Sequence, residues 1–303
     1  MTTDPALDAE IEASAALSGQ AAVDGLVKLM DLEKIEENIY RGVSPKSRMQ
    51  RVFGGQVAGQ AMVAAGRTVE PDRQVHSLHS YFIRPGDPAV PIVYEVERIR
   101  DGRSFTTRRV IAVQHGKPIF LLSASFQLEQ PGVEHSPSLP GDIPPPEELP
   151  TIEQRYADAP EAAAFFRKRP RPIDLRYVDD PPWTQRAKGP RDGYTRVWMK
   201  ADGTLPDDPL LQVCVMTFCS DMTLLDSVLV KHGLAPGIDN MSMASLDHAM
   251  WFMQPFRADE WMLYITKSPA ASGSRGLATG RFFTRDGVHL ASVVQEGMIR
   301  VHD

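Results

Sequence analysis

The two halves of the chain carry the same landmarks in the same order. The string Phe82-Ile83-Arg84-Pro85 returns 170 positions later as Phe252-Met253-Gln254-Pro255. The turn at His115-Gly116 returns 171 positions later as Asp286-Gly287, and a long apolar run follows each turn. Landmarks at nearly one offset indicate an internal duplication, and the length of 303 residues suits two domains of ordinary size. Both halves are therefore predicted to share one fold.

Each half is predicted to contain one helix followed by several strands. Residues 56–66 contain no charged side chain, and a helix that is apolar on nearly every side is surrounded by protein. Strand-like runs, separated by Gly-containing turns, cover residues 76–83, 92–100, 105–114 and 119–127 in the first half and 194–200, 242–252, 262–267, 277–284 and 289–300 in the second. The pattern predicts an α+β fold in which each helix is wrapped by an antiparallel sheet. Joining the two sheets edge to edge would protect their edge strands.

Proline marks the middle of the chain. Thirteen of the 25 prolines lie between Pro131 and Pro190, and such a stretch disfavours regular sheet and long helix. We therefore predict a Pro-rich linker over 131–190, interrupted by one short helix near residues 151–168. The remaining predicted units are a flexible tail (1–22), a first domain (23–130) and a second domain (191–303).

Composition and charge exclude several classes of protein. The net charge is −6 and the pI is about 5.8, so the chain lacks the basic excess of a dedicated nucleic-acid binder. Its two cysteines, Cys214 and Cys219, are too few for a disulfide framework, are interpreted as core thiols, and belong to no cluster with metal-ligand spacing. Walker and G-x-G-x-x-G loops are missing as well. We expect no metal, no cofactor and no nucleic-acid partner.

The sequence gives no reason to expect export or a membrane span. The first 27 residues contain neither Lys nor Arg, which a secretory or mitochondrial leader needs. The apolar run over 210–230 contains Asp221 and Asp226, which are costly in lipid, so it is predicted to be a buried strand leading into a buried helix. A cytoplasmic protein without a membrane partner is expected.

Two polar residues interrupt apolar segments of the second half only. Asp221 is predicted at or near the start of an apolar helix, where it is either a plain N-cap or a functional carboxylate. A match between residues 53–56 and 218–221, 165 positions apart, makes Gln56 its counterpart. Gln295 interrupts an apolar strand and is either a satisfied core amide or a ligand for water or substrate. Its counterpart at an offset of 171 is Ala124.

A third cluster is Ser245-Leu246-Asp247-His248. An Asp/His pair can do acid–base work. Adjacent residues of a regular strand point to opposite faces, however, so the pair is either functional in an irregular strand or has one inward and one structural member. Ser245 is expected to share a face with Asp247.

Several strings together resemble one family, the acyl-CoA thioesterase II family of double hotdog enzymes. They are Leu32-Glu33-Lys34-Ile35-Glu36-Glu37, Val52-Phe53-Gly54-Gly55-Gln56-Val57, His76-Ser77-Leu78-His79-Ser80-Tyr81-Phe82-Ile83-Arg84-Pro85-Gly86-Asp87, Leu246-Asp247-His248-Ala249-Met250-Trp251-Phe252 and Val294-Gln295-Glu296-Gly297. The resemblance spans about residues 26–302. It implies two tandem hotdog domains fused into a double hotdog, the first catalytically degenerate and the second catalytic. It also implies homo-oligomers, as dimers or tetramers of such pairs.

The resemblance also implies a catalytic trio and a substrate. The trio carries over to Asp221, Ser245 and Gln295, with serine where the family usually has threonine. The expected reaction is hydrolysis of fatty acyl-CoA to free fatty acid and CoA, in which Gln295 and Ser245 hold a water and Asp221 accepts its proton. Met-rich and aromatic segments are either ordinary sheet core or the acyl slot: Met241, Met243, Met250, Trp251 and Met253. Cations available for CoA are Arg84, Arg100, Arg103, Arg108, Arg109, Arg257, Arg275 and Arg281.

Two alternatives stay open at this point. A hotdog hydratase or dehydratase would act on an enoyl-CoA, with Asp247 and His248 as acid and base. A non-catalytic acyl-CoA-binding protein would bind without turnover. The product of the reaction distinguishes the three, because only a thioesterase releases a free thiol.

Overall fold

One long sheet and a few helices make up the fold. The computed structural model describes residues 11–45, 50–157, 159–160, 163 and 170–302. Residues 11–15 are helical, and the longer helical segments are α1 (Gly19–Met30), α2 (Gly54–Gly66), α3 (Ile152–Ala157), α4 (Pro182–Lys188), α5 (Pro209–Thr223) and α6 (Asp226–His232), with a 3-10 turn at Pro146–Glu148. The strands are β1 (Glu33–Glu36), β2 (Ile39–Gly42), β3 (Arg73–Phe82), β4 (Ile92–Asp101), β5 (Phe105–Gln114), β6 (Lys117–Leu128), β7 (Ile173–Tyr177), β8 (Tyr194–Ala201), β9 (Met241–Ser245), β10 (Asp247–Phe252), β11 (Met262–Ser272), β12 (Arg275–Phe283) and β13 (His289–Val301).

The two halves meet edge to edge in this sheet. Its strand order is β1-β2-β4-β5-β6-β3-β10-β13-β12-β11-β8-β7, and β9 pairs with β13. Strands β3 and β10 form an antiparallel junction in which Leu78 lies opposite Met250. The order β3, β6, β5, β4 on one side of the junction matches β10, β13, β12, β11 on the other. The predicted α+β class, the duplication and the joined sheets are confirmed.

Helices α2 and α5 lie side by side at the centre of the molecule and run antiparallel. Their backbones approach closely because α2 has glycines where they touch. A Cβ on Gly55 would lie 2.5 Å from the Phe218 carbonyl oxygen, and a Cβ on Gly54 would lie 2.6 Å from Oδ2 of Asp221. The prediction of a buried, charge-free helix over 56–66 is confirmed, since every residue from Gly55 to Ala65 is buried.

The apolar run over 210–230 was predicted wrongly. It contains no strand but two helices, α5 and α6, so Asp221 lies near the end of a helix and not at its start. The N-cap of α5 is Asp208, whose Oδ1 accepts a hydrogen bond from the Leu210 amide at 2.9 Å, and Pro209 occupies the first helical position. Because α2 begins at Gly54 and α5 at Pro209, the helices are 155 positions apart, and the match of Asp221 with Gln56 fails.

Helices α5 and α6 together form the one segment of the described residues that is long and apolar enough to cross a membrane. An 18-residue window of Pro209–His232 has a mean hydropathy of 1.7, but 72% of that window is buried inside the fold. A core helix of a soluble domain passes the same test, so the segment is adequately explained by its position beside α2.

The Pro-rich stretch over 131–190 contains regular structure that was not predicted. Strand β7 pairs with β8 at the end of the sheet that belongs to the second half, and α4 follows it. The prolines flank β7 and occupy the first position of α4, so none of them interrupts the strand. The short predicted helix near 151–168 begins as α3, and residues 158, 161–162 and 164–169 lie outside the described residues. Likewise, α1 begins inside the predicted tail, of which residues 1–10 are not described.

Candidate active site

Three side chains from three elements meet at the end of α5. Oδ1 of Asp221 accepts hydrogen bonds from Nε2 of Gln295 at 2.9 Å and from the Ser245 hydroxyl at 3.0 Å. Nε2 of Gln295 also donates to the Ser245 hydroxyl oxygen at 2.5 Å. The structure therefore brings together all three residues named from the sequence. The bonds form a closed triangle around one oxygen of the carboxylate.

The other carboxylate oxygen of Asp221, Oδ2, lies outside this triangle of hydrogen bonds. Among the described residues, no hydrogen-bond donor reaches Oδ2 of Asp221. Gly54, at the start of α2, lies beside Oδ2, and its lack of a side chain leaves room for this oxygen. The first amides of a helix have no partners within the helix, so the start of α2 offers free N–H groups near Oδ2.

A β-bulge brings Ser245 to the trio. Ser245 pairs with Gly297, and Ala249 pairs with Val294. Four steps of chain from Ser245 to Ala249 thus face three steps from Gly297 to Val294, so one residue is extra on the β9–β10 side. Such a bulge bends the strand and re-aims side chains, and here it turns Ser245 toward Asp221.

Asp247 and His248 point to different places. Oδ1 of Asp247 accepts a hydrogen bond from the Glu296 backbone amide at 2.7 Å, which fastens the bulge. The His248 ring is buried and lies between Oε1 of Gln295, 2.9 Å from Nδ1, and the Ser220 hydroxyl, 2.8 Å from Nε2. The interpretation of one inward and one structural residue is confirmed. The partners of His248 were missed, although its position opposite Gln295 follows from the strand register.

Burial sets the protonation of the groups around the trio. It lowers the pKa of His248, against the opposing effects of Asp221, Gln295 and Asp247, so the ring is neutral at physiological pH. Burial raises the pKa of the Cys214 and Cys219 thiols far above the usual range, so neither is a thiolate nucleophile. Their interpretation as core thiols is confirmed.

A cavity of about 1340 Å³ opens beside the trio, and both halves of the chain line it. Asp221 and Ser245 lie in its wall, whereas Gln295 is fully buried behind them. Apolar lining comes from Val52, Phe53, Val57, Phe82, Ile119, Phe120, Met222 and Leu225. Of the sequence candidates for an acyl slot, Met241 and Met243 line this cavity. Met250 is core beside Ser220, and Met253 is half exposed elsewhere.

Three arginines line the same cavity. Arg84 was among the predicted CoA-binding cations, while Arg51 and Arg171 were not. Of the others, Arg108 is fully buried and bound to Asp101. Carboxylates pair with three more: Glu97 with Arg109, Asp259 with Arg257 and Glu296 with Arg275. No signal in the sequence distinguishes the cavity arginines, because the chain segments that carry them converge only in the fold.

Two family models match the chain. The model described as acyl-CoA thioesterase matches residues 167–298, and the one described as acyl-CoA thioesterase N-terminal domain matches residues 44–127. Together they cover both halves of the sheet and all three residues of the trio.

Individual proteins match over nearly the full length. Acyl-coenzyme A thioesterase 8 of Mus musculus is 44% identical over 301 residues, which cover 94% of this chain and 92% of that protein. Acyl-CoA thioesterase 2 of Haemophilus influenzae is 36% identical, covering 92% and 98%. The crystal structure of the acyl-CoA thioesterase II TesB2 from Mycobacterium marinum has 44% identity and a TM-score of 0.75, covering 91% of this chain and 98% of that one. The chain therefore belongs to the acyl-CoA thioesterase II family of double hotdog thioester hydrolases.

Proposed function

We propose that the protein hydrolyses fatty acyl-CoA to free fatty acid and CoA with a water molecule activated by Asp221. One observation carries this proposal. Oδ1 of Asp221 is held by Gln295 and Ser245, while Oδ2 has no donor among the described residues and belongs to a carboxylate in the wall of a large cavity. A carboxylate fixed by one oxygen and free at the other is suited to take a proton from water.

The proposed reaction proceeds through a tetrahedral intermediate. Oδ2 of Asp221 accepts a proton as the water oxygen attacks the thioester carbonyl carbon. When the intermediate collapses, the C–S bond breaks and the CoA thiolate leaves with the bond electrons. The proton on Asp221 then returns to solvent or to the thiolate, which restores the enzyme. A thiolate is a good leaving group, so a strong general acid is unnecessary.

In this scheme Gln295 acts on the carboxylate and not on the water. Its side chain is fully buried, and both N–H groups of its amide are used within the trio. The Ser245 oxygen keeps one free lone pair in the cavity wall and is the trio member able to contact the water beside Oδ2. Charge that develops on the carbonyl oxygen would be stabilised by the free amides in the first turn of α2, which begins at Gly54.

The cavity suits a ligand with an apolar chain and an anionic head. Its volume of about 1340 Å³ exceeds that of an ordinary small-molecule pocket, about 300–1,000 Å³. The apolar wall would contact the acyl chain. Within the part of the chain that the structure describes, Arg51 and Arg84 each donate one hydrogen bond to a backbone carbonyl, of Met243 and Pro118 respectively, and their other N–H groups would bind the CoA phosphates.

Thiol release from a panel of short to long acyl-CoAs tests the proposal. Asp221→Asn keeps the shape of the side chain and removes the base, so kcat should fall by about 10²–10⁴-fold. Asp286→Asn is the matched control, because Asp286 is exposed in the turn before β13. A wild-type kcat in Asp221→Asn would show that Asp221 is not the base.

No observation favours the alternatives. A hydratase would need Asp247 and His248 in the cavity, and neither lines it. Release of no thiol from any acyl-CoA would overturn the thioesterase proposal, and loss of enoyl absorbance or binding without turnover would then identify the hydratase or the binding protein. The cytoplasmic location and the assembly into dimers or tetramers stay predictions, and a native mass measurement checks the second.

A further inference from the structure

His248 is a buried titratable side chain that the proposed hydrolysis does not use. It is 1% exposed and does not line the cavity, so it cannot reach the substrate. The pairing of Ala249 with Val294, continued by one residue, places it directly opposite Gln295 on the neighbouring strand. Its ring therefore packs behind the trio, on the side of Gln295 away from Asp221.

The Gln295 amide has two orientations of nearly equal shape but opposite chemistry. With Nε2 toward Asp221, both of its N–H groups donate within the trio. Turned by 180°, Oε1 would face the carboxylate, so two acceptors would meet and Oδ1 would lose a donor. A hydrogen-bond donor on the side of the amide away from Asp221 favours the orientation that places Oε1 there. Nδ1 of His248 lies on that side, 2.9 Å from Oε1.

The His248 ring must itself be fixed to act in this way. Nδ1 donates in the neutral tautomer whose Nε2 is an acceptor, and burial keeps the ring neutral. The Ser220 hydroxyl lies 2.8 Å from Nε2 and is the donor that selects this tautomer. That hydroxyl also lies 2.8 Å from the Thr217 carbonyl oxygen and can donate to it instead. Because this carbonyl already accepts a backbone hydrogen bond within α5, the hydroxyl proton is available to Nε2.

We propose that His248 is a positioning residue that holds the Gln295 amide with both N–H groups toward Asp221 and Ser245. The inference rests on the proposed role of Asp221 as the base. Hydrogen bonds run from Ser220 through His248 and Gln295 to Asp221, so the chain of bonds begins and ends at adjacent residues of α5. Without the Nδ1 donor the amide is free to turn over, and the carboxylate then loses its orientation.

Two substitutions at position 248 separate this role from packing. His248→Leu removes the donor, and kcat should fall on the order of tenfold to a hundredfold, with KM changed by less than about threefold. His248→Asn places a side-chain N–H where Nδ1 was and should recover most of kcat. Circular dichroism and thermal unfolding establish the folded fraction of each variant. Equal kcat for the folded Leu and Asn variants would overturn the inference.

A double variant tests whether His248 acts through Gln295. In the Gln295→Ala background there is no amide to orient, so adding His248→Leu should lower kcat by less than about threefold. Losses that multiply in the double variant would show that His248 acts independently of Gln295 and would overturn the inference. This result is distinct from failure of the proposed function, which would appear as wild-type kcat in Asp221→Asn.

If His248→Leu does not fold, Ser220→Ala carries the test, because it removes only the hydroxyl that selects the tautomer. Its kcat should fall by about threefold to tenfold, and the loss should vanish in the Gln295→Ala background. An unchanged kcat in folded Ser220→Ala would overturn the inference.

Discussion

Matching positions of the two sheets hold apolar side chains in the first half and a polar network in the second. Leu78 pairs with Ala124 across β3 and β6, as His248 faces Gln295 across β10 and β13. A register shift next to Val75 repeats the bulge beside Ser245. The matched pairs are Val75 with Ser245, Leu78 with His248 and Ala124 with Gln295. Helix α2 carries no acidic residue, so nothing in it corresponds to Asp221.

These polar residues of the second half form a set. A buried polar side chain that loses one partner costs more than an apolar side chain of similar shape, because its remaining groups are desolvated without compensation. The first half has none of the set and packs Val75, Leu78 and Ala124 in its core. The second half has all of it, linked from Ser220 to Asp221. A half that has only some of these polar residues should be less stable than a half with all of them or a half with none.

Exchanging the three matched residues of the set, with Ser220 and Asp221 left in place, should give the largest effect. The triple substitution Ser245→Val, His248→Leu and Gln295→Ala gives the second half the side chains of the first. We expect kcat to fall by about 10²–10⁴-fold, because Asp221 loses both donors to Oδ1. The protein should still fold cooperatively, since the first half packs the same apolar set. Thiol release and thermal unfolding measure the two properties.

The reciprocal triple in the first half is the matched control. Val75→Ser, Leu78→His and Ala124→Gln would bury polar groups opposite a helix that offers no carboxylate. Each unsatisfied group costs about 1–3 kcal/mol, so this variant should lose stability by several times the change seen in the first triple. Equal stability of the two triple variants would contradict the view that the polar set must be complete.

The close approach of α2 to Asp221 gives the next largest effect. A Cβ on Gly54 would lie 2.6 Å from Oδ2 and 2.9 Å from the Phe82 ring. Gly54→Ala should therefore displace the carboxylate and lower kcat by about tenfold to a hundredfold. Gly25→Ala in α1 is the control, because its Cβ would meet nothing within 4 Å and should leave kcat unchanged. Wild-type kcat in Gly54→Ala would show that the two helices separate without disturbing the site.

Much of the sheet was predictable from the sequence. The predicted strand over 105–114 coincides with β5, and the other predicted strands overlap the observed ones, because alternating patterns and Gly-containing turns mark them locally. The edge strand β7 was missed because the surrounding prolines were taken to exclude it. The start of α5 was missed although Asp208-Pro209 is an N-cap signal, since an apolar run fits strand and helix equally well.

The trio was found from its chemistry and the family resemblance, but its geometry was not. The orientation of Ser245 depends on a bulge that has no local sequence signal. The role of His248 depends on the register of β10 against β13, which only the fold establishes. The cavity arginines belong to segments far apart in the chain.

A second carboxyl of this half, Asp226, is partly exposed and lines the same cavity as Asp221, and it tests whether desolvation outside the trio has an energetic effect. Burial raises the pKa of Asp226 from 3.8 to about 7, against the hydrogen bond from Tyr177 and the charge of Arg191. The folded state therefore binds the proton more tightly, and its stability falls as pH rises from 3.8 to about 7. This fall in the free energy of unfolding amounts to roughly 2–4 kcal/mol across that range, and it should be absent in Asp226→Asn. Urea unfolding of both proteins at about pH 5 and pH 8 measures it, and parallel stability changes would contradict the assignment.

Ser245→Thr, which adds one methyl group to the trio, gives the smallest expected effect. The hydroxyl stays, and the added methyl restricts rotation about Cα–Cβ. Because Ser245 lines the cavity, we expect the methyl to point into it. We expect kcat of Ser245→Thr to change by less than about threefold. Ser245→Ala, in contrast, removes the hydroxyl that donates to Oδ1 and leaves one Gln295 N–H without its acceptor, so its kcat should fall further. Thiol release from one long-chain acyl-CoA compares the two variants. A large loss in Ser245→Thr would mean that the bulge has no space for a methyl, and that the serine is required by shape as well as by its hydroxyl.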